Sequence, residues 1–353
     1  MTQIGTALVV GARGRFGRHA TAAFAEAGWR VRAMTRTGAR GFENAEPVAG
    51  DALDPEALTR AAEDADVIVN GLNAPYPDWR EALPRTTHAL LTAAKATGAT
   101  LVHPGNVYGY GSAIPARATP DTPYRPDTVK GRLRAEQEMR LRAAAEAGEI
   151  RCIVLRGGDF LDTEIAGNWF DSHMTAKLDA GRFVYPGPLD RVHAWSFLPD
   201  FAAVIAGLAA RREALPPFAA FNHPGHALTG AELLALTARA AGRPLAPRPF
   251  PWWALRLAAP VWPMGRELVE MRYLWSTPHR LEDPRLAALL PEHVPHSAEA
   301  AVAAALAPRL EGRPGGPAAT ARVGAAPAPV AAPAAGASPR RPLPVPGRRP
   351  RPA

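Results

Sequence analysis

The strongest constraint on this chain is a short apolar run that ends in a glycine-rich turn near the N-terminus. Thr6 to Val10 reads TALVV and shows no polar alternation, which is typical of a strand buried on both faces of a parallel sheet. Gly11, Gly14 and Gly17 follow at Gly-x-x-Gly-x-x-Gly spacing, and helix-forming residues begin among them. Because a helix N-terminus presents unpaired N–H groups to an anion, the pattern predicts a dinucleotide site.

Each glycine of this turn has a separate predicted role. Gly11 allows the backbone to turn tightly, Gly14 allows a pyrophosphate to approach the main chain, and Gly17 allows the helix to pack closely on the strand. The positions between them supply two arginines and an aromatic ring. The cofactor-binding residues predicted in this turn are Gly11, Arg13, Gly14, Arg15, Phe16 and Gly17.

The formal net charge of +8 comes almost entirely from the C-terminal tail. Residues 313–353 contain seven arginines and no acidic residue, so the rest of the chain is nearly neutral. The basic balance therefore indicates no specific nucleic-acid site. The tail consists of Ala, Pro, Gly and Arg with almost no large apolar residues, and we expect it to be disordered.

The cysteine content and the hydropathy of the chain indicate its cellular compartment. Cys152 is the only cysteine, which excludes an internal disulfide, and its apolar surroundings from Ile150 to Leu155 favour a buried core residue over a nucleophile. We find no charged leader with an apolar core before the first strand and no apolar stretch long enough to span a bilayer. These features predict a cytoplasmic protein without a transmembrane segment, and no metal site is assigned.

Strand-like and helix-like segments alternate through the first half of the chain. Helices are predicted from Phe16 to Ala27, from Trp79 to Thr97 and from Val129 to Ala147, with apolar strands between them. This order predicts an α/β fold with a doubly wound, parallel, Rossmann-type sheet. Ligands of such sheets bind beyond the carboxyl ends of the strands. Besides the glycine turn, the loops Gly71–Pro77 and His103–Pro126 follow such strand ends.

The composition changes after Arg156, where aromatic segments alternate with short helices. A capping box at Thr229 to Glu232 predicts one helix start. Tryptophans between residues 252 and 280 are expected to pack in a lid over the substrate, and a membrane-surface contact of Phe250 to Pro263 is the alternative. The predicted domains are 1–156 for nucleotide binding with later returns to the sheet, 157–312 for a small mixed substrate-binding region, and 313–353 for the tail.

The residue that meets the adenosine ribose lies about twenty positions after the glycines in dinucleotide folds. That place reads Met34-Thr35-Arg36-Thr37 here and contains no acidic residue. Arg36, with help from Arg13, therefore favours the 2′-phosphate of NADP, whereas NAD stays an alternative because arginine is the usual cation of this chain. Asp51 is placed either to accept from the adenine amino group or to face water. Asn73 lies in the loop predicted to pass over the cofactor.

The chain resembles the extended and atypical short-chain dehydrogenase/reductase superfamily, of the NAD-dependent epimerase/dehydratase type, over about residues 4 to 290. The resemblance rests on the glycine turn, Gly50-Asp51, Val107-Tyr108-Gly109, Lys130 at a helix start, and Trp195-x-x-Leu198-Pro199-Asp200. It implies NADP or NAD as the cofactor and a small-molecule substrate, and it is compatible with a homodimer.

Members of this superfamily usually carry a Tyr-x-x-x-Lys pair, in which the tyrosine is the general acid/base and the lysine binds the nicotinamide ribose and lowers the pKa of the tyrosine. Lys130 matches the lysine, but Pro126 stands at the tyrosine position and Pro104 at the place of the usual serine or threonine. The resemblance therefore implies Lys130 and, as a replacement acid, Tyr108 as catalytic residues. The other candidates nearby are Tyr110, Tyr124, His103 and Asn106.

Two functions from different classes agree with these observations. One is an NADP-dependent reductase, epimerase or dehydratase that acts on a small, fairly apolar carbonyl or hydroxyl compound with a non-standard proton donor. The other is a regulatory protein that binds the cofactor and senses its redox state without turnover. The intact glycines support both functions, the two prolines favour the sensor, and the aromatic C-terminal region favours the enzyme. The enzyme is the preferred hypothesis.

Overall fold

Apolar runs and helix-forming segments alternate in the structure in the order that the sequence predicts. The computed structural model describes residues 4–38 and 41–311. The predicted disorder of the tail, residues 313–353, concerns a part of the chain outside these ranges and stays a prediction. The strands are β1 (Thr6–Val10), β2 (Arg30–Thr35), β3 (Ala45–Ala49), β4 (Val67–Asn70), β5 (Thr100–Asn106), β6 (Arg117–Ala118), β7 (Cys152–Gly157), β8 (Asp159–Leu161), β9 (Arg182–Tyr185), β10 (Val192–Phe197), β11 (Phe218–Asn222), β12 (His226–Thr229), β13 (Ala246–Pro249) and β14 (Arg280–Leu281).

The helices differ widely in length, and none of those described is long and apolar enough to cross a bilayer. They are α1 (Arg15–Glu26), α2 (Pro55–Ala61), α3 (Trp79–Thr97), α4 (Val129–Glu146), α5 (Leu198–Ala210), α6 (Gly230–Ala240), α7 (Trp252–Ala258), α8 (Pro263–Glu270), α9 (Pro284–Leu289) and α10 (Ala298–Glu311). The predicted capping box is present at the start of α6, where the Thr229 hydroxyl accepts from the Glu232 N–H at 3.2 Å. The Glu232 carboxylate in turn accepts from the Thr229 N–H at 2.8 Å.

Seven of the described strands form one parallel sheet in the order β11-β7-β5-β4-β1-β2-β3. Because successive side chains of a strand point to opposite faces, Ala7 and Val9 of β1 enter one apolar core and Leu8 and Val10 enter another. The first core includes residues of α1 and α5, and the second includes residues of α2, α3 and α4. The prediction of a doubly wound, Rossmann-type α/β fold is therefore confirmed.

The edge of this sheet is completed by a late segment of the chain. β11 lies in the region assigned to the substrate domain, and it pairs in parallel with β7. Cys152, the first residue of β7, is 1% exposed, and burial raises the pKa of its thiol. The thiol therefore stays protonated and packs as a small core residue, which agrees with the interpretation from its apolar surroundings.

The tryptophans that follow Arg156 include a buried group and an exposed group. Trp169 packs at the centre of a third apolar core, with its ring centroid 5.1 Å from that of Trp275 and 5.9 Å from that of Trp252. Such edge-on and tilted contacts stabilise an aromatic core. In contrast, Trp253 and Trp262 are 70% and 44% exposed. The clustered tryptophans therefore include both core residues and surface residues.

The glycine turn joins β1 to α1 through a close backbone contact. A Cβ atom on Gly17 would overlap the carbonyl oxygen of Gly11 and would lie 2.9 Å from the Cα of Ala12. Gly11 itself has a φ of +68°, in the left-handed region that favours glycine. The predicted reasons for glycine at positions 11 and 17 thus have a direct steric basis.

We expect Gly17→Ala to lower the free energy of unfolding by about 1–3 kcal/mol, because the new methyl group forces the helix away from the turn. Urea unfolding followed by circular dichroism measures this loss. Ala22→Gly, at an exposed position of the same helix, is the control and should cost only about 0.5–1 kcal/mol through helix propensity. An increase in stability for Gly17→Ala, as in an unobstructed helix, would contradict the packing argument.

Candidate active site

The N-terminus of α1 is open toward the carboxyl edge of the sheet. Gly14 is the N-cap residue and provides no side-chain acceptor for the N–H groups of the first turn. The turn before it is held by the Gly11 N–H, which donates to the Met34 carbonyl at 3.1 Å, and by the Gly14 N–H, which donates to the Gly11 carbonyl at 2.8 Å. The first N–H groups of α1 are therefore available to an anion such as a pyrophosphate.

Arg15 connects this helix start to the segment after β8. Its guanidinium donates to the Ala166 carbonyl at 2.6 Å and lies 3.9 Å from a carboxylate oxygen of Asp162. Asp162 is buried, and its other oxygen lies 2.8 Å from His19 Nε2. The side chain of Phe16 packs edge-on against Phe201, with ring centroids 5.7 Å apart. In the structure, Arg15 and Phe16 thus pack against later segments of the chain next to the helix start.

The predicted adenosine-binding residues lie on the other half of the sheet. Arg36 is exposed and directly follows β2, in a turn closed by the Gly38 N–H, which donates to the Thr35 carbonyl at 3.3 Å. Asp51 is exposed in the loop after β3, and its carboxylate accepts from the Leu53 N–H at 3.0 Å. Arg13 is likewise exposed. These residues stand at the carboxyl edge, where the prediction requires them, and their roles stay predictions.

The loop after β4 is held against α4 by an arginine. Asn73 accepts a hydrogen bond from Arg134 at 3.3 Å, and the Arg134 guanidinium lies 4.3 Å from the ring centroid of Trp79. The Trp79 indole N–H donates to the Ala74 carbonyl at 2.8 Å. Asn73 is thus tied to the protein in this structure, and the loop that carries it is fixed at both ends.

Two phenols meet at the centre of the carboxyl edge. Tyr108 follows β5, as predicted, and its hydroxyl lies 2.8 Å from that of Tyr76, in the loop after β4. Burial raises the pKa of Tyr108 well above its usual value, and the nearby Tyr76 phenol contributes to the shift. Burial also raises the pKa of Tyr76. Both phenols are therefore protonated at neutral pH, and one of them is free to donate to a ligand.

Lys130 lies next to this pair but is bound by two carboxylates. Its ammonium group, 1% exposed, donates to Glu267 and Glu270 of α8 and lies 5.3 Å from the ring centroid of Tyr76. Glu270 also accepts from the Val129 N–H at the start of α4. The C-terminal helix α8 therefore closes on the N-terminus of α4, and Lys130 is the residue that it holds.

An acid and an imidazole form a second pair near the phenols. His193 Nε2 is 2.7 Å from a carboxylate oxygen of Asp159, and the imidazole stacks on Trp275 with ring centroids 4.2 Å apart. The negative charge of Asp159 contributes to the raised pKa of both Tyr76 and Tyr108. The phenol pair thus lies near Lys130 and within electrostatic reach of Asp159.

The other candidate acids are engaged elsewhere. His103 is buried and bonds to the Asn70 amide at 3.0 Å, and burial, with Arg134, lowers its pKa to about 3. The hydroxyl of Tyr110 accepts from Arg156 at 3.1 Å. The Arg156 guanidinium also lies 4.8 Å from the ring centroid of Tyr124. The side chain of Asn106 accepts from the Tyr108 N–H at 3.0 Å. Of this set, the structure brings the hydroxyl of Tyr108 into contact with the hydroxyl of another phenol at the edge.

Sequence reasoning missed several residues of this cluster. Tyr76 lies within Gly71–Pro77, one of the loops that the sequence analysis placed at the carboxyl edge. A phenol in such a loop was the signal that could have identified Tyr76 as a candidate. Asp159, His193, Glu267 and Glu270 belong to no short motif, so no sequence signal points to them. Within the described residues, no group of three or more His, Cys, Asp or Glu side chains is arranged to hold a metal ion.

Comparison with known proteins agrees with this geometry. Residues 11–164 match the family model described as NAD(P)H-binding. No curated protein matches the chain. Many solved structures do, and three of them are typical.

A putative epimerase from Burkholderia cenocepacia J2315 is 18% identical, with a TM-score of 0.67 over 87% of this chain and 99% of that one. The dTDP-glucose 4,6-dehydratase from Bacillus anthracis, in complex with NAD, is 14% identical, with a TM-score of 0.68 over 87% and 97% of the two chains. The UDP-glucose 4-epimerase from Bifidobacterium longum, in complex with NAD⁺ and UDP, is 16% identical, with a TM-score of 0.66 over 87% and 98%.

The family match and the solved structures agree on the fold. Residues 11–164 match the NAD(P)H-binding family model, and the chain has the fold of the epimerases and the dehydratase among the solved structures. The resemblance drawn from the sequence motifs is therefore confirmed.

We expect Lys130→Met to lower the free energy of unfolding by about 1–3 kcal/mol, because it leaves Glu267 and Glu270 facing each other without a cation. Chemical denaturation measures the change. Lys95→Met is the matched control: Lys95 pairs with Glu149 at 2.6 Å, but both side chains are nearly half exposed, and such pairs contribute about 0–1 kcal/mol.

Replacing both glutamates by glutamine in the Lys130→Met background should recover part of the loss, since the unpaired charges are then gone. Equal losses for the two lysine variants would show that the Lys130 cluster contributes no more than a surface pair.

Proposed function

We propose that this protein is an NAD(P)-dependent oxidoreductase, epimerase or dehydratase-like enzyme that acts on a small carbonyl or hydroxyl compound, with Tyr108 as its proton donor. The observation that carries the proposal is the 2.8 Å contact between the hydroxyls of Tyr108 and Tyr76 at the carboxyl edge of the sheet. A partly buried, protonated phenol at that edge can supply the proton that a carbonyl oxygen needs when its carbon accepts a hydride.

The residues present fit a dinucleotide. The uncapped first turn of α1 suits a pyrophosphate, and exposed Arg36 suits the phosphate on the adenosine ribose. NAD(P)H, when bound, supplies the hydride, and the oxidised form accepts one. A preference for NADP over NAD is part of this proposal.

In the direction of reduction, Tyr108 gives its proton to the substrate oxygen while the carbonyl carbon gains the hydride, so that the carbonyl becomes a hydroxyl. The Tyr76 hydroxyl then donates to the Tyr108 phenolate and stabilises its negative charge. In the direction of oxidation the same groups act in reverse, with Tyr108 as the base. Tyr76 is thus the positioning partner of the donor.

Turnover is expected to be slow. Pro104 and Pro126 leave the positions of the usual hydroxyl and phenol without a polar side chain, and a well-positioned acid or base typically contributes about 10²–10⁴-fold in rate. Nucleotide sugars enter the substrate panel because UDP-glucuronic acid and UDP-glucose are each bound in a solved structure of one structurally similar protein, MoeE5. Simple aldehydes and ketones complete the panel.

A redox sensor without turnover is the second candidate. It is favoured by Lys130, whose ammonium is held by Glu267 and Glu270 and so does not face an open ribose site. The two functions differ in one observable: the sensor binds NAD(P)H tightly but oxidises it with no compound of the panel.

We expect Tyr108→Phe to slow NADPH oxidation by about 10²-fold or more while leaving cofactor affinity unchanged, because only the proton donor is removed. Tyr76→Phe should have a smaller effect on kcat, since it removes a hydrogen bond to the donor. Tyr124→Phe, whose ring lies against Arg156, is the control. Full activity of Tyr108→Phe would exclude Tyr108 as the donor.

The parent protein should bind NADPH between about tenfold and a hundredfold more tightly than NADH, because a charge-assisted contact of Arg36 with the 2′-phosphate contributes that much affinity. Arg36→Gln should remove the preference and Arg36→Asp should reverse it, as measured by calorimetric titration. Arg30→Gln, at the opposite end of β2, is the control. Equal affinities in the parent would overturn the assignment of Arg36.

A further inference from the structure

The described surface carries one dense group of exposed apolar side chains. Eight large hydrophobic residues are clearly exposed in the described part of the chain, and half of them fall within ten consecutive positions. We name these four the α7 patch: Trp253, Leu257, Val261 and Trp262, which are 70%, 74%, 87% and 44% exposed. Scattered apolar residues are normal on a surface, whereas a clustered group indicates an interaction site.

Helix α7 is apolar on both sides. Trp252 and Leu255, three positions apart, face the aromatic core, with each 8% exposed. Trp253 and Leu257, four positions apart, lie on one outward face. A helix that is apolar on opposite sides is normally buried, yet Trp253 and Leu257 of α7 are 70% and 74% exposed. Its outer apolar residues therefore do not serve the fold.

The sequence around the α7 patch is strongly basic. The segment between Glu232 and Glu267 contains five arginines and no acidic residue. Three of them, Arg248, Arg256 and Arg266, are exposed, and none is paired with a carboxylate among the described residues. Large apolar and aromatic side chains bordered by unpaired arginines are the combination found in helices that lie in the plane of a membrane interface.

We propose that the α7 patch is a docking surface for an anionic phospholipid bilayer, in which Trp253 and Leu257 enter the acyl boundary and the flanking arginines bind lipid phosphates. The positive charge of the flanking arginines decides whether a membrane or a second copy of this chain fits the patch. Two copies of this chain meeting through the patch would bring Arg256 close to Arg256 of the second copy, which is repulsive, whereas anionic headgroups pair with it. The contact is interfacial, in agreement with the absence of a membrane-spanning helix among the described residues.

The test is co-sedimentation of the full chain with vesicles of mixed phosphatidylserine and phosphatidylcholine, compared with vesicles of phosphatidylcholine alone. We expect binding to the mixed vesicles, and the double variant Trp253→Ser/Leu257→Ser should weaken it by about tenfold or more, because the buried apolar area is lost. Arg256→Gln should weaken binding to a smaller degree and reduce its salt dependence.

Val294→Ser is the matched control, since Val294 is 83% exposed and lies outside the patch. Melting curves of all variants check that the fold is retained. Three results would overturn the proposal. The first is no binding of the parent to the mixed vesicles. The second is equal binding of the parent and the double variant, which would assign vesicle binding to another basic part of the chain. The third is a dimer of the parent that the double variant abolishes, which would assign the patch to a second copy.

Discussion

The structure depends on the close approach of three backbone segments at the carboxyl end of β1. A side chain on Gly17 would overlap the carbonyl of Gly11, and a Cβ on Gly71 would lie 2.5 Å from the carbonyl oxygen of Val10. The Gly71 N–H donates to that same oxygen at 2.8 Å. Helix α1 and the loop after β4 therefore rest on one strand end. This contact places the uncapped start of α1 and the loop that carries Tyr76 at the same edge of the sheet.

A second constraint joins the C-terminal helices to that edge. Lys130 starts α4 and is held by Glu267 and Glu270, while α8 packs on the turn at Tyr76–Asp78 and on α7. One helical hairpin thus contacts Lys130 on its inner side and presents exposed apolar residues on its outer side. The same element can therefore take part in both the proposed chemistry and the proposed surface contact, through different faces.

The local predictions agree closely with the structure. Helix α3 spans Trp79–Thr97, as predicted, and ends at Gly98, whose positive φ terminates it. The capping box at Thr229 is formed, and Tyr108 follows β5 at the edge where strand order placed it. These features depend on residues within a few positions of one another, so that helix propensity, capping and strand burial are sufficient to predict them.

By itself, the amino-acid sequence determined the buried strand and glycine turn, the doubly wound parallel sheet and the residues that lie at its carboxyl edge, because each follows from local patterns repeated along the chain. Only the tertiary structure decided which groups meet there. The partners of Lys130 lie 137 and 140 positions away in sequence, and Asp159 and His193 are separated by 34. No local periodicity encodes such pairs, since they depend on how the C-terminal helices cross the sheet edge and on which charges are left to be paired when water is excluded.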